Sequence, residues 1–110
     1  MRDAYMTTIL LLQGITTISL KNNVILDSGL LPERVVLPLG ITEFADGCFS
    51  GQKQLAEIYL PCTLERVGYG CFANCPKLKH IYADYMLAPL HLESALLKYT
   101  SATVDYIHFL

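Results

Sequence analysis

Four cysteines and three histidines are the residues of this chain that could serve catalysis or metal binding, and their spacing favours neither. Cys71 and Cys75 are separated by three residues, which is not the C-x-x-C spacing of a zinc knuckle or a thioredoxin-like site. His80, His91 and His108 are isolated, without a nucleophile motif or a glycine-rich phosphate loop. We therefore expect no enzyme activity, no cofactor and no metal.

The cysteine positions favour buried structural thiols. Cys48 and Cys71 are 23 residues apart and lie, with Cys75, at apolar positions, where a free cysteine behaves as a small hydrophobe. A disulfide between Cys48 and Cys71 is the alternative, and a metal site is the weakest interpretation. We expect Cys62, on a turn, to carry the most exposed and reactive thiol. Cys75 and His80 could in principle form a nucleophile and base pair, but we expect them on different faces.

The spacing of 23 residues belongs to a repeat, which must position every candidate side chain. Residues 37–59 and 60–82 are two copies of one sequence, identical at eight positions. These positions are Leu37/Leu60, Pro38/Pro61, Gly47/Gly70, Cys48/Cys71, Phe49/Phe72, Leu55/Leu78, Ile58/Ile81 and Tyr59/Tyr82. Self-similarity at this period indicates a stacked repeat architecture.

The repeat resembles the BspA-type leucine-rich repeat, whose 23-residue unit reads LxxIxLPxxLxxIGxxAFxxCxx. The matching residues are Leu55-x-x-Ile58-x-Leu60-Pro61, Leu64-x-x-Val67-Gly68 and Gly70-Cys71-Phe72-x-x-Cys75-x-x-Leu78. The sequence departs from the pattern where Cys48 and Cys71 replace alanine and where Gln52 replaces the family cysteine. The resemblance implies an α/β solenoid with a parallel sheet and short helical turns opposite it. It also implies, weakly, a cell-surface or secreted protein engaged in attachment.

Stepping through the chain by the repeat period predicts the strands. The anchor residues are Ile9, Val35, Ile58, Ile81 and Val104, which gives a parallel sheet of about five short strands. Ile9 is placed by the match of residues 9–16 to residues 35–42 at an offset of 26. The three extra residues belong in a loop at 21–23 or 27–29, where turn-forming residues cluster.

We predict one leucine-rich-repeat domain over residues 1–110, of about four units. The clearest repeats are 37–59 and 60–82, and the terminal units 1–36 and 83–110 are degenerate. In the last unit, Leu92, Leu96 and Tyr99 have helical spacing after Pro89, which predicts a longer helix over 91–99. Residues 103–110 are expected to form a last strand, because terminal repeats must close an otherwise open core.

The side chains that flank each anchor should face outward, because side chains alternate along a strand. One outward column reads Leu10, Val36, Tyr59, Tyr82, Asp105, and the other reads Thr8, Arg34, Glu57, His80, Thr103. Tyrosine and arginine are enriched where interface energy concentrates. We therefore predict a partner-binding face formed by Arg34, Val36, Glu57, Tyr59, His80, Tyr82 and Asp105. The tyrosines could instead only support the sheet as an aromatic ladder.

Composition limits the classes of partner. Hydrophobic residues make up 53% of the 110 residues, so some apolar surface should remain for a partner or a second copy. Net charge is −2 and the basic residues are scattered, which argues against nucleic-acid binding. No segment approaches the roughly 20 apolar residues of a membrane span. Asp3 and the lack of a cleavage site argue against a signal peptide, so an intracellular location is the default.

The sequence thus favours a non-catalytic module that binds a protein or peptide through the exposed sheet face. A second hypothesis is a self-assembling structural domain, or a fragment of a longer surface repeat protein, that forms homo-oligomers through residues 9–12 and 106–110. A third is a small inhibitor that occludes a partner protein.

Overall fold

The computed structural model describes the backbone of residues 2–108 and the side chains of residues 5–108. The elements are α1 (Arg2–Leu11), β1 (Ser19–Lys21), β2 (Val24–Asp27), β3 (Arg34–Val36), β4 (Glu43–Phe44), β5 (Glu57–Leu60), β6 (Arg66–Val67), β7 (His80–Asp84), a 3-10 helix (Tyr85–Leu90), α2 (Glu93–Leu96) and β8 (Thr103–Ile107). Among these residues, no helix has the length and apolar character needed to cross a membrane.

The second sheet, in the order β3-β5-β7-β8, contains the predicted anchors. All its strands are parallel, and Val35, Ile58, Ile81 and Val104 pair across them in register. Val35, Ile58 and Ile81 are fully buried, because the pleat turns every second side chain into the core. The 23-residue period is therefore confirmed as the register of a parallel sheet.

The first sheet has the order β1-β2-β4-β6, and its strands β4 and β6 follow β3 and β5 of the second sheet along the chain. β2, β4 and β6 are parallel, whereas β1 pairs antiparallel with β2. Asn22 and Asn23 join β1 to β2 with positive φ of 53° and 67°, as a two-residue hairpin turn requires. Of the two sites predicted for the three extra residues, the one at 21–23 contains this turn.

A third layer consists of turns, where short helical turns were predicted. Gly47 and Gly70 have φ of 63° and 62°, a conformation that only glycine adopts without a steric cost. Phe49 and Phe72 point inward and stack at 5.2 Å between ring centroids, as their spacing predicts. Successive turns are bonded to each other, with Phe49 N donating to Cys71 O at 3.1 Å.

The predicted first strand at Ile9 is wrong, because residues 2–11 form helix α1. The second sheet consequently has four strands rather than about five. Helix α1 packs on the core through Met6 and Leu10, which are four residues apart and buried. It ends in a Schellman motif, in which Gly14 N donates to Leu11 O, Ile15 N donates to Leu10 O, and Gly14 has φ of 78°.

The predicted helix over 91–99 is also wrong. Helix α2 covers only Glu93–Leu96, and a 3-10 helix at Tyr85–Leu90 precedes it, with Pro89 inside. His91 has φ of 53° and Tyr99 has φ of 64°, so left-handed residues end the helical backbone on both sides. The predicted last strand is present as β8, which pairs parallel with β7.

Gln52, which replaces the family cysteine, holds the irregular loop of the first unit. Its Oε1 accepts from Leu31 N at 2.9 Å, and its Nε2 donates to Gly29 O at 2.7 Å and to Ser28 Oγ at 3.1 Å. The side chain is 4% exposed, and each of its polar atoms has a partner. Glutamine therefore supplies hydrogen bonds that a cysteine thiol is too short to make.

Candidate functional site

The predicted face lies on the outward side of the second sheet. Its residues pair across the strands in two registers: Arg34, Glu57, His80 and Thr103 in one, and Val36, Tyr59, Tyr82 and Asp105 in the other. We refer to the seven predicted residues together as the tyrosine face. All seven lie on this side of the sheet, because the parallel register keeps equivalent positions adjacent. Leu10, predicted in the same column, is instead buried in α1.

Two stacked tyrosines form the centre of this face. Tyr59 and Tyr82 have ring centroids 4.7 Å apart and an interplanar angle of 25°. Both side chains are half-buried, so an outer part of each ring remains accessible. Burial is the main cause that raises the pKa of Tyr82, followed by the negative charge of Glu57. The Tyr82 phenol therefore stays neutral near pH 7, and the two stacked rings present a rigid aromatic surface.

An ion pair borders the tyrosines at one end of the face. Arg34 Nη2 lies 2.9 Å from Glu57 Oε1, and the two residues are one repeat apart. The hydrogen bond to Glu57, and then its charge, raise the pKa of Arg34. Such an exposed pair contributes little to stability, so its guanidinium and carboxylate can exchange partners at small cost.

His80 and Asp105 border the tyrosines at the other end. The His80 ring stacks on Tyr82 at 5.5 Å between centroids. His80 Nδ1 is 3.7 Å from Asp105 Oδ2 and 3.5 Å from Thr103 Oγ1. The histidine is thus positioned as a hydrogen-bonding group beside an aromatic surface.

Val36 closes the face at the edge of the sheet. Its side chain is 41% exposed, and both of its backbone polar groups are bonded to the side chain of Gln13. Sequence reasoning missed Gln13, although a signal existed, because Gln13 lies 23 residues before Val36.

The cysteines and histidines do not form a shared site. Among the described residues, no group of three or more His, Cys, Asp or Glu side chains could hold a metal. All four cysteines are free, and Cys48, Cys71 and Cys75 are buried while Cys62 is half-buried. The Cys75 thiol donates to Phe49 O at 3.2 Å, inside the core, whereas His80 lies on the tyrosine face. The two are therefore not a nucleophile and base pair.

A second aromatic cluster, missed by sequence reasoning, lies away from the second sheet. The hydroxyls of Tyr69 and Tyr99 are hydrogen-bonded, and Lys98 Nζ lies 5.8 Å and 5.5 Å from their ring centroids. The hydrogen bond to Tyr99 raises the pKa of Tyr69. Tyr69 and Tyr99 are 30 residues apart, so the repeat period gave no signal for this contact.

A groove lies at the corner where the two sheets meet. Its volume is about 520 Å³, and Tyr5, Leu39, Leu64, Leu90 and Cys62 contribute to its walls. Cys62 is thus the most accessible thiol, as predicted.

Comparison with known proteins identifies the repeat. The family model of the BspA-type leucine-rich repeat region, which has six copies, matches residues 5–92. No curated protein and no solved structure matches this chain. The family match covers both sheets up to β7 and most of the tyrosine face. The chain therefore belongs to the BspA-type leucine-rich repeat family.

Proposed function

We propose that this chain is a non-catalytic module that binds a protein or peptide through the tyrosine face. One observation carries the proposal: Tyr59 and Tyr82 stack at the centre of an exposed parallel sheet, with polar and charged side chains at both ends. Aromatic residues with a polar tip are enriched at the centre of protein interfaces. Leucine-rich repeat families are also generally non-enzymatic and commonly bind proteins.

The geometry supports recognition without a conformational change. The strands of a parallel sheet fix the outward side chains at about 4.8 Å intervals, so the face is ordered before a partner arrives. A pre-ordered surface loses little conformational entropy on binding. We also propose that residues 1–110 form one domain of about four units.

The test compares two double variants that each remove two tyrosines. Tyr59→Ala with Tyr82→Ala removes the centre of the tyrosine face, and Tyr69→Ala with Tyr99→Ala removes the other aromatic cluster as a matched control. Each protein is immobilised and exposed to extract from its native source, and captured proteins are then titrated individually by calorimetry. We expect a partner that binds wild type and the control but binds the face variant at least tenfold more weakly. Equal affinity for both double variants would refute the proposal.

A second candidate function is self-association through the N-terminal end. Leu11 and Leu12, on and just after α1, are 51% and 79% exposed, and covering both against another copy would remove apolar surface from water. In the other predicted surface, Tyr106 and Ile107 are half-buried, whereas residues 109–110 lie outside the described residues. Light scattering on wild type and on Leu12→Glu tests this candidate. A monomer at all concentrations would remove it. The inhibitor hypothesis uses the same tyrosine face, and an identified partner would decide it.

A further inference from the structure

Cys48 and Cys71 occupy equivalent positions in neighbouring repeats, and backbone bonds fix them side by side. Gly47 N donates to Tyr69 O at 3.0 Å, and Phe49 N donates to Cys71 O at 3.1 Å. The residues before and after Cys48 are therefore both hydrogen-bonded to the turn that contains Cys71. Adjacent parallel segments are about 4.8 Å apart, which lies within the range of about 4.4–6.8 Å between Cα atoms that a disulfide spans.

The two thiols also interact directly. The Cys48 thiol is hydrogen-bonded to the Cys71 sulfur, and this bond holds the pKa of Cys71 below its usual value. The same bond, together with burial, raises the pKa of Cys48. Cys71 Sγ donates to Ala45 O and to Gly68 O, each at 3.2 Å. Because donation from Cys48 stabilises a thiolate at Cys71, we assign the first reaction with an oxidant to Cys71.

Burial selects which oxidants reach the pair. Cys48 is 2% exposed and Cys71 is 0% exposed, so a bulky disulfide reagent is excluded from the folded protein. Hydrogen peroxide is uncharged and close to water in size, so it is the class of oxidant best suited to reach a buried thiol. The Cys75 thiol, by contrast, donates to Phe49 O rather than to another sulfur.

We propose that Cys48 and Cys71 are a redox-active pair that closes a disulfide between neighbouring repeats when hydrogen peroxide oxidises them. The Cys71 sulfur, as thiolate, attacks one peroxide oxygen, breaks the O–O bond and becomes a sulfenic acid. The departing hydroxide takes up the proton that Cys71 released. The Cys48 sulfur then attacks the Cys71 sulfur, forms the S–S bond and expels the second oxygen as water with the Cys48 proton. Two thiols lose two electrons, and one peroxide becomes two waters.

The bond would tie two turns of the stack together. It joins residues 23 positions apart and so restricts the unfolded chain, which is the main way in which a disulfide stabilises a fold. Because the turns already lie in register, closing it requires little rearrangement. We therefore expect oxidation to raise the urea midpoint.

The experiment counts thiols in the full chain before and after oxidation. Reduced protein is treated with hydrogen peroxide, catalase removes the excess, and the protein is unfolded in guanidinium with N-ethylmaleimide. Mass spectrometry should find four labels before treatment and two after it, with a linked peptide pair containing Cys48 and Cys71. Dithiothreitol should restore four labels. Four labels at every peroxide dose, or a link between other cysteines, would overturn the proposal.

Two variants keep the test decisive if removal of a buried cysteine disturbs folding. Cys62→Ala with Cys75→Ala leaves the pair intact and should still lose both remaining labels on oxidation. In the Cys62→Ala and Cys75→Ala background, Cys48→Ser keeps a hydroxyl donor beside Cys71 but cannot form the disulfide. The sulfenic acid at Cys71 should then persist and react with dimedone added in guanidinium, which the parent double variant should not do. Dimedone labelling of both proteins to the same extent would contradict the role of Cys48 as the resolving thiol.

Discussion

The Gln13 carboxamide binds both backbone polar groups of Val36, with Nε2 2.7 Å from the carbonyl oxygen and Oε1 2.7 Å from the amide nitrogen. Val36 belongs to β3, the edge strand of the second sheet. A carboxamide carries the same donor and acceptor as a peptide group, so Gln13 occupies the place of a preceding strand. Gln13 thus lies one repeat period of 23 residues before Val36 and bonds to it as a strand would, although residues 2–11 form a helix.

We expect Gln13→Ala to destabilise the domain by about 1–3 kcal/mol, because two hydrogen bonds to the edge strand are lost. Urea denaturation followed by circular dichroism measures the change. Gln54→Ala is the matched control, since Gln54 is exposed, and its midpoint should equal that of wild type. Equal midpoints for both variants would mean that water replaces Gln13 at no cost.

Gln52→Ala should be more damaging than Gln13→Ala, because Gln52 is buried. Its removal leaves Leu31 N and Gly29 O without their side-chain partner inside the protein. A buried polar group without a partner costs about 1–3 kcal/mol, and here two groups are affected. Native-state hydrogen exchange should show faster exchange of the Leu31 amide. Gln52→Cys, which restores the family residue, should not restore protection, because the thiol is too short to reach the loop. Protection of the Leu31 amide at the wild-type level in Gln52→Cys would contradict the claim that only the longer glutamine side chain can hold this loop.

The sequence predicted the second sheet and the tyrosine face because both follow from one period. Side chains that recur every 23 residues must stack if the units stack, and Tyr59 beside Tyr82 follows without further information. The prediction for the first unit, a strand at Ile9, was wrong because an apparent sequence match at an offset of 26 residues outweighed local helical signals. Met6 and Leu10, four residues apart before Gly14, already had the pattern of a helix with a glycine C-cap.

The prediction of a longer helix in the C-terminal unit was wrong for a different reason. Leu92 and Leu96 have helical spacing and both pack on the core, so the apolar pattern was read correctly. The helix is short because His91 and Tyr99 adopt positive φ, which non-glycine residues rarely do. Nothing in the identity of these residues indicates that conformation, since it depends on contacts that exist only in the folded chain. The Tyr69–Tyr99 contact depends on the same backbone and was equally hidden.

Gly68→Ala should destabilise the domain through a steric clash with backbone. A Cβ at this position would lie 2.6 Å from Asp46 N and 2.7 Å from Ala45 C, which cannot rotate away. We expect a cost of about 3 kcal/mol, at the upper end of the range for overpacked sites. Thermal unfolding measures the loss.

Gly14→Ala is the comparison for Gly68→Ala. A Cβ at Gly14 meets no atom within 4 Å, so its cost is only the strain of φ at 78°, roughly 1–2 kcal/mol. A smaller loss of melting temperature at Gly68 than at Gly14 would show that the two neighbouring repeats can separate to admit a methyl group.

The hydrogen bond from Tyr106 to Glu93 predicts a pH dependence at both ends of the scale. Donation from Tyr106 holds the pKa of Glu93 below its usual value of 4.5, and burial followed by this bond raises the pKa of Tyr106 to about 12. The lowered pKa of Glu93 gives stability that is present above pH 4.5 and is lost as the pH falls through its folded value. The raised pKa of Tyr106 gives stability that is present below pH 10 and is lost as the pH rises towards 12. The bond thus stabilises most between these limits.

Tyr106→Phe isolates this effect, since it removes the hydroxyl and keeps the ring. The difference in urea midpoint between wild type and variant should be constant from about pH 5 to about pH 9.5 and should shrink at both ends, because each end removes the charge state that the bond requires. Subtracting the variant cancels the titration of lysines and other carboxylates. Glu93→Gln serves as the reciprocal control, and in that background Tyr106→Phe should show no acid-side change. A difference that stays flat from pH 3 to pH 11 would mean that Tyr106 stabilises the domain through its ring alone.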